Sequence, residues 1–298
     1  MKLAGYSEDR LVAEITRGLP LGAEVRVGAG DDCAVIGAPR ARRWQLLKTD
    51  VVVEGVHFLR TDDPRRVGWK ALCRAISDVA AMGGVPEHAL ITIAVSRDDD
   101  VARVKALYAG LRRAAKKFGV SIVGGETSRS PGPLFVNVAL TGSVERTRCV
   151  LRSGAKAGDV LFVTGHLGGS RAGKHLDFTP RLAEARWLVA HCRPRAMMDL
   201  SDGLAADLPR LARASRCHFA IDPSRIPLTP GCTFLQALSD GEDFELLFAL
   251  APKDAARIAP KWRRTFGKLS LSPIGRATQH STLNTQLSPN GHDHFAHG

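Results

Sequence analysis

The chain has 298 residues, with 42 Lys and Arg against 30 Asp and Glu, a formal charge of +12, and a hydrophobic content of 44%. That length supports one large domain or two ordinary ones with a real core, and the balance excludes a fibrous or disordered chain. The cations are scattered as short pairs, such as Arg65-Arg66, Arg112-Arg113 and Lys116-Lys117, which reads as solvated helix faces rather than a nucleic-acid groove. The six cysteines, at 33, 73, 149, 192, 217 and 232, include no Cys-x-x-Cys spacing, so neither a zinc knuckle nor a redox pair is expected. Glu8, Asp9 and Arg10 precede any apolar block, so no signal peptide is expected, and no apolar run is long enough to cross a membrane. A reduced, cytoplasmic protein with no membrane or nucleic-acid partner is the expectation.

In chain order, a first helix is predicted over 8–18, with Leu11, Val12 and Ile15 on one face. Strands follow at 33–36 and 45–53. A helix over 64–82 opens at Pro64 and stops at Gly83-Gly84. A strand at 89–95 leads to a helix over 98–118, opened by Asp98, Asp99 and Asp100 and closed by Gly119. Strands are predicted at 120–123 and 134–144. The polar, glycine-rich stretch 152–159 marks a domain boundary, dividing the chain into 1–150 and 151–298. Beyond it come a strand at 160–163, helices at 180–192 and 203–215, and strands at 217–221 and 243–250. A helix at 253–265 and a strand at 269–275 close the periodic part, and 276–298 has no periodicity. The irregular alternation in both halves predicts two α+β domains.

No P-loop, dinucleotide fingerprint or nucleophile elbow is present. Instead, acids stand beside glycines or inside apolar runs: Asp31-Asp32 before Cys-Ala-Val-Ile, Asp50 before Val-Val-Val, Asp78 in Ile-Ser-Asp-Val-Ala, Glu126 after Gly-Gly, Asp199 and Asp202 around Leu-Ser, and Glu242-Asp243 before an apolar strand. A buried carboxylate is costly unless it is paired or bound to metal. Asp98 to Asp100 serve as helix caps, and Ser201 and Asp202 could do the same for the helix that follows. Capping does not account for the whole set. Oxygen ligands from scattered loops suit several Mg²⁺ ions and a densely anionic substrate. Neighbours entering a strand point to opposite sides, so Asp31 and Asp32 need not both face one metal. His57 is open between a substrate contact and a loop histidine, and His292 and His294 between metal ligands and polar tail residues.

Taken together and in order, Gly-Asp-Asp-Cys-Ala (30–34), Lys-Thr-Asp (48–50), Gly-Val-His-Phe (55–58), Ser-Asp-Val-Ala-Ala-Met-Gly-Gly (77–84), Gly-Gly-Glu-Thr (124–127), Arg-Ser-Gly-Ala-Lys-Ala-Gly-Asp (152–159), Met-Asp-Leu-Ser-Asp-Gly-Leu (198–204), Gly-Glu-Asp-Phe-Glu-Leu (241–246) and the closing Gly-His-Asp-His-Phe (291–295) resemble the thiamine-monophosphate kinase family. That family belongs to the aminoimidazole-ribonucleotide-synthetase-like superfamily. The resemblance implies an N-terminal α+β domain that binds ATP and Mg²⁺ and pairs its sheet across a homodimer, and a C-terminal α+β domain that completes the active site. It implies transfer of a phosphoryl group from ATP to thiamine phosphate, giving thiamine diphosphate. By the same resemblance, Asp32, Thr49, Asp50, Asp78, Glu126, Asp199 and Asp202 are metal ligands. Tyr108, Gly125, Glu126, Arg152 and Ser201 contact ATP. His57, Glu242 and His292 contact thiamine phosphate. The chain departs from the family at Lys48, where Ser or Thr is usual, at His292, where Trp or Tyr is usual, and in a short segment at 173–180.

An acceptor that is a phosphate monoester needs no general base, so no residue is assigned that role and the transfer is expected to be metal-assisted. The rivals are another ATP-dependent enzyme of the superfamily, of the aminoimidazole ribonucleotide or selenophosphate synthetase type, and a non-catalytic nucleotide-binding paralogue.

Overall fold

The computed structural model describes Leu3 and residues 6–279. His292 and the closing motif lie outside the described residues. Helix α1 (Glu8–Ile15) precedes a six-stranded sheet built from β1 (Val25–Val27), β2 (Ala34–Ile36), β3 (Arg43–Val53), β4 (Val85–Val95), β5 (Ser121–Arg129) and β6 (Phe135–Glu145), in the order β1-β2-β3-β6-β4-β5. Only β4 and β5 pair in parallel, and the crossover this demands is helix α3 (Val101–Phe118). Helix α2 (Pro64–Ala81) connects β3 to β4.

The period of two along these strands decides what faces α2. On β6, Val136, Val138, Leu140 and Val144 are buried, and on β3 so are Leu46 and Val52. Lys48 and Asp50 share the parity of Leu46 and Val52 and point to the same side. Thr49 and Val51 point the other way and are exposed. Helix α2 is buried along nearly its whole length from Val67 to Ala81. Its contact with α3 is close: a Cβ added at Gly110 would stand 1.9 Å from the Arg65 carbonyl oxygen, so only glycine lets the two helices approach this far.

The second sheet, all antiparallel, runs β8-β10-β7-β11-β9, with β7 (Val160–Thr164), β8 (Ala196–Asp199), β9 (His218–Ile221), β10 (Leu246–Leu250) and β11 (Leu271–Thr278). Around it lie α4 (Leu182–His191), α5 (Leu204–Ser215), α6 (Phe234–Ser239) and α7 (Pro252–Phe266). Strand β1 and helix α6 have no counterpart in the sequence expectation. The third helix starts at Val101 because the carboxylate of Asp100 caps it through the Ala102 N–H. The predicted strand at 243–250 begins only at Leu246. Glu242 and Phe244 have positive φ, 52° and 50°, and their N–H groups donate to Ser201 O and Leu200 O at 2.6 and 2.8 Å. That makes a turn, not a strand.

The two sheets meet along α2. Trp69 Nε1 donates to the Phe178 carbonyl at 2.8 Å, and Phe178 stacks on Phe244 with ring centroids 3.9 Å apart. On the other side of α2, Arg186 of α4 donates to both carboxylate oxygens of Glu145 at 2.8 Å and to the Gly83 carbonyl at 2.6 Å. The hydrogen bonds from Arg186 pull Glu145 down to about 2 against the opposing effect of burial. A depressed carboxyl stabilises the fold above its unfolded value of about 4.5, and that contribution is lost as pH falls from about 4.5 to 2. Arg186→Ala is expected to cost about 1–2 kcal/mol at neutral pH, reduced by partial solvent screening. It also flattens the acid limb of the stability curve between those pH values. Urea denaturation of both proteins at pH 7 and pH 3 measures this, and an unchanged difference at the two pH values would contradict it.

Candidate active site

Three carboxylates converge where the two sheets meet. Asp32 lies just ahead of β2, Asp78 on the last turns of α2 and Asp199 at the end of β8. All three are buried, and each offers an oxygen within 4.8 Å of the others. Around them, one oxygen of each acid has its own partner. Arg152 donates to Asp32 Oδ1 from Nε at 3.1 Å and from its terminal nitrogen at 2.6 Å. Ser77 Oγ donates to Asp199 Oδ2 at 2.5 Å. Lys48 Nζ donates to Asp78 Oδ1 at 2.7 Å. Asp50 adjoins Asp78 and stands 3.8 Å from Arg74. Asp32 Oδ2 is buried and accepts no hydrogen bond.

The electrostatics of the trio are unbalanced. Burial and the charge of Asp32 push Asp199 up to about 7. Burial raises Asp78 well above the usual carboxylate range, although Lys48 opposes it. Close, desolvated carboxylates disfavour one another's ionised forms. A cation removes that repulsion and gives Asp32 Oδ2 a partner. The donors are all hard oxygens, so the arrangement suits a hard divalent ion such as Mg²⁺.

The two adjacent acids of the opening motif separate in role. Asp31 turns away from the trio and accepts the Arg152 backbone N–H at 3.1 and 3.2 Å and the Asp32 N–H at 3.0 Å. Arg152 is thereby held at both ends, its backbone by Asp31 and its guanidinium by Asp32.

Next to the trio opens a cavity of about 770 Å³ whose lining includes His57, Arg66, Arg74, His175, Asp202 and Glu242. Glu242 anchors its floor, with Lys70 Nζ at 2.8 Å, His175 Nδ1 at 3.2 Å and Arg74 at 3.4 Å. Burial alone would raise the Glu242 carboxyl, but the His175 hydrogen bond and the charges of Lys70 and Arg74 bring it down to about 2. Lys70 is fully buried and also donates to the His57 carbonyl at 2.5 Å. The Nε atoms of Arg66 and Arg74 are buried without hydrogen-bond partners. Unpaired guanidinium N–H groups on a cavity wall suit a phosphate.

Among the described residues, the structure thus brings Asp32, Asp50, Asp78, Asp199 and Arg152 together, with His57, Ser201, Asp202 and Glu242 on the adjoining cavity. Asp202 is paired with Arg210, and its N–H donates to Asp207 Oδ2 at 3.0 Å.

Four expected site residues fall elsewhere. Thr49 is on the opposite face of β3 from Asp50, with its Oγ1 donating to Asn137 Oδ1 at 2.9 Å. Gly125 and Glu126 lie on the edge strand β5, where Glu126 is exposed. Gly125 has a local reason to be glycine, since a Cβ there would stand 1.8 Å from the Ile91 carbonyl oxygen. Tyr108 packs against the core beneath the first sheet. Lys70, Arg74, Arg66 and His175 were not anticipated. The signal for three of them is a four-residue spacing: Arg66, Lys70, Arg74 and Asp78 recur on one stripe of an otherwise apolar helix.

Residues 30–144 match the family model of AIR synthase related protein, N-terminal domain. The chain is 39% identical over 260 residues to the thiamine-monophosphate kinase of Rhodopirellula baltica, covering 82% of this chain and 81% of that one. It is 35% identical to the thiamine-monophosphate kinase of Aquifex aeolicus, with 89% and 92% covered. The solved structure of AaThiL complexed with AMPPCP and TMP superposes with a TM-score of 0.84 at 33% identity, over 99% of both chains. A chain of a HypE–HypF complex matches at 19% identity with a TM-score of 0.72, a likeness of fold alone. The shared architecture is the two-part α+β fold of the AIR synthase type, and by identity and coverage the chain belongs to the thiamine-monophosphate kinase family.

Proposed function

We propose that the chain transfers a phosphoryl group from ATP to thiamine phosphate, forming thiamine diphosphate, as a phosphotransferase with a phosphate acceptor. The observation that carries this reading is a juxtaposition. A buried acid trio short of one cation adjoins a cavity wall with unpaired arginine N–H groups. Such a site suits a reaction in which both partners are phosphates.

The acceptor oxygen needs little activation, since a phosphate monoester has a second pKa of about 6 and is largely ionised at neutral pH. This accounts for a site without an evident general base. The obstacle is repulsion between two anions. In this reading Asp32, Asp78 and Asp199, with Asp50 beside them, hold Mg²⁺. Bound Mg²⁺ supplies charge neutralisation and alignment of the phosphates. Arg66 and Arg74 bind the acceptor phosphate through their free N–H groups. Lys70 and His175 fix Glu242, which with His57 shapes the thiamine end of the cavity. Asp31 and Asp32 hold Arg152 rigid for the ATP phosphates, and Ser201 and Asp202 border the route between the two sites. Residues 1–150 serve as the ATP- and Mg²⁺-binding domain and 151–298 as the domain that completes the site.

Gly125, Glu126 and Tyr108 fit a different place. The open face and edge of the first sheet expose Leu90 and Val123, and an unpaired edge with apolar neighbours favours a second chain. In a homodimer built there, Glu126 of one protomer serves the ATP site of the other. Sedimentation equilibrium is expected to give twice the chain mass, and a monomer at assay concentration would contradict this arrangement.

A coupled ADP-release assay is expected to show turnover with thiamine phosphate, ATP and Mg²⁺. Absence of turnover at saturating Mg²⁺, or turnover with a ribonucleotide or selenide substrate instead, would overturn the reading. Asp32→Asn is expected to lower kcat by about 100-fold or more, and Asp31→Asn by about tenfold at most. Equal losses would show that the two acids do not divide the work in this way.

A further inference from the structure

We infer that Lys48 is a built-in counter-ion that occupies the Asp50–Asp78 edge of the carboxylate cluster in place of a second divalent ion. The inference rests on the metal-binding reading above and adds how many ions the cluster takes. Four carboxylates, Asp32, Asp50, Asp78 and Asp199, share this buried space, and three cations are fixed among them. Arg152 is on Asp32, Arg74 is 3.8 Å from Asp50, and Lys48 Nζ is 2.7 Å from Asp78 Oδ1.

Strand β3 dictates where Lys48 goes. It lies two residues before Asp50, so both side chains project from the same face toward α2. The ammonium of Lys48 donates to Asp78 Oδ1 at 2.7 Å, while Asp50 beside it has Arg74 at 3.8 Å. The edge between Asp50 and Asp78 is therefore neutralised by protein groups. The vacant coordination is elsewhere in the cluster, at Asp32 Oδ2, which is buried and unpartnered. One hard ion among Asp32, Asp78 and Asp199 completes the cluster. A second ion at the Asp50–Asp78 edge would require Lys48 to leave a hydrogen bond that nothing on that side replaces.

The count is testable without turnover. Mn²⁺ is titrated into nucleotide-free protein, and the free ion is followed by electron paramagnetic resonance. Lys48→Ser is expected to bind one Mn²⁺ more than the wild type, and Lys48→Arg the same number as the wild type. Equal numbers for wild type and Lys48→Ser would overturn the inference. Binding of no Mn²⁺ by any of the three proteins would overturn it together with the metal reading. An extra ion in Lys48→Ser without any thiamine phosphate turnover by the wild type would uphold the counter-ion and sink the kinase assignment. Should Lys48→Ser not fold without metal, wild-type crystals soaked in Mn²⁺ decide. An anomalous peak bridging Asp50 and Asp78 with Lys48 displaced would overturn the inference, and Lys48 still on Asp78 with the peak at Asp32 would support it.

Discussion

Helix α2 is buried on nearly every side, yet one of its stripes carries Arg66, Lys70, Arg74, Ser77 and Asp78. Charges cannot be left unpaired in such a position, and the single carboxylate of the stripe, Asp78, cannot balance its three cations. Each partner comes from elsewhere: Lys48 and Asp50 from β3, Asp199 from β8, Glu242 from the turn before β10, His175 from the short helical turn Lys174–Leu176. The need to satisfy one stripe of α2 thus ties the two sheets together and assembles the site. Folding of residues 1–150 alone would leave Lys70 without Glu242 and His175, and Ser77 without Asp199.

The same constraint sorts the site into two electrostatic halves. Toward the C-terminal end of α2, carboxylates outnumber the cations and one oxygen has no partner, so this end favours a cation. Four and eight residues earlier, Arg74 and Lys70 gather around a single Glu242, and the arginine Nε atoms are free. This end favours an anion. Helix geometry sets the spacing, since residues four apart rise about 6 Å. An end that favours a cation and an end that favours an anion are therefore neighbours by construction, as suits phosphoryl transfer between two phosphates.

Strain is concentrated in the same place. Glu242 and Phe244 adopt left-handed backbone conformations that cost non-glycine residues of order 1 kcal/mol or more. Their N–H groups are held by Ser201 and Leu200, and the Phe244 ring is held by Phe178. The turn gives up strand pairing at 242–245 and in return brings Glu242 over Lys70. A sequence reading that extends the apolar run back to 243 misses this, because alternating hydrophobicity carries no sign of a positive φ in a residue other than glycine.

Much was determined by local pattern alone. The periods of the apolar residues marked most helices and strands, Pro64 and Gly83-Gly84 marked the limits of α2, and acids embedded in apolar runs singled out Asp32, Asp50, Asp78 and Asp199. Those properties travel with a short stretch of chain, and the ordered motifs also carried the family. What the tertiary structure alone decided was which side chains face one another. Thr49 and Asp50 are adjacent in sequence but stand on opposite faces of β3. Asp31 and Asp32 part in the same way, one to the Arg152 backbone and one to the trio. Nothing local marked Lys70, whose partner Glu242 is 172 residues away. Glu126 looked like a member of the acid cluster until the sheet order put β5 at the edge. Alternation along a strand and spacing along a helix are short-range and can be read in one dimension. Pairing between charges is set by which elements pack together, and that depends on contacts no short stretch of sequence contains.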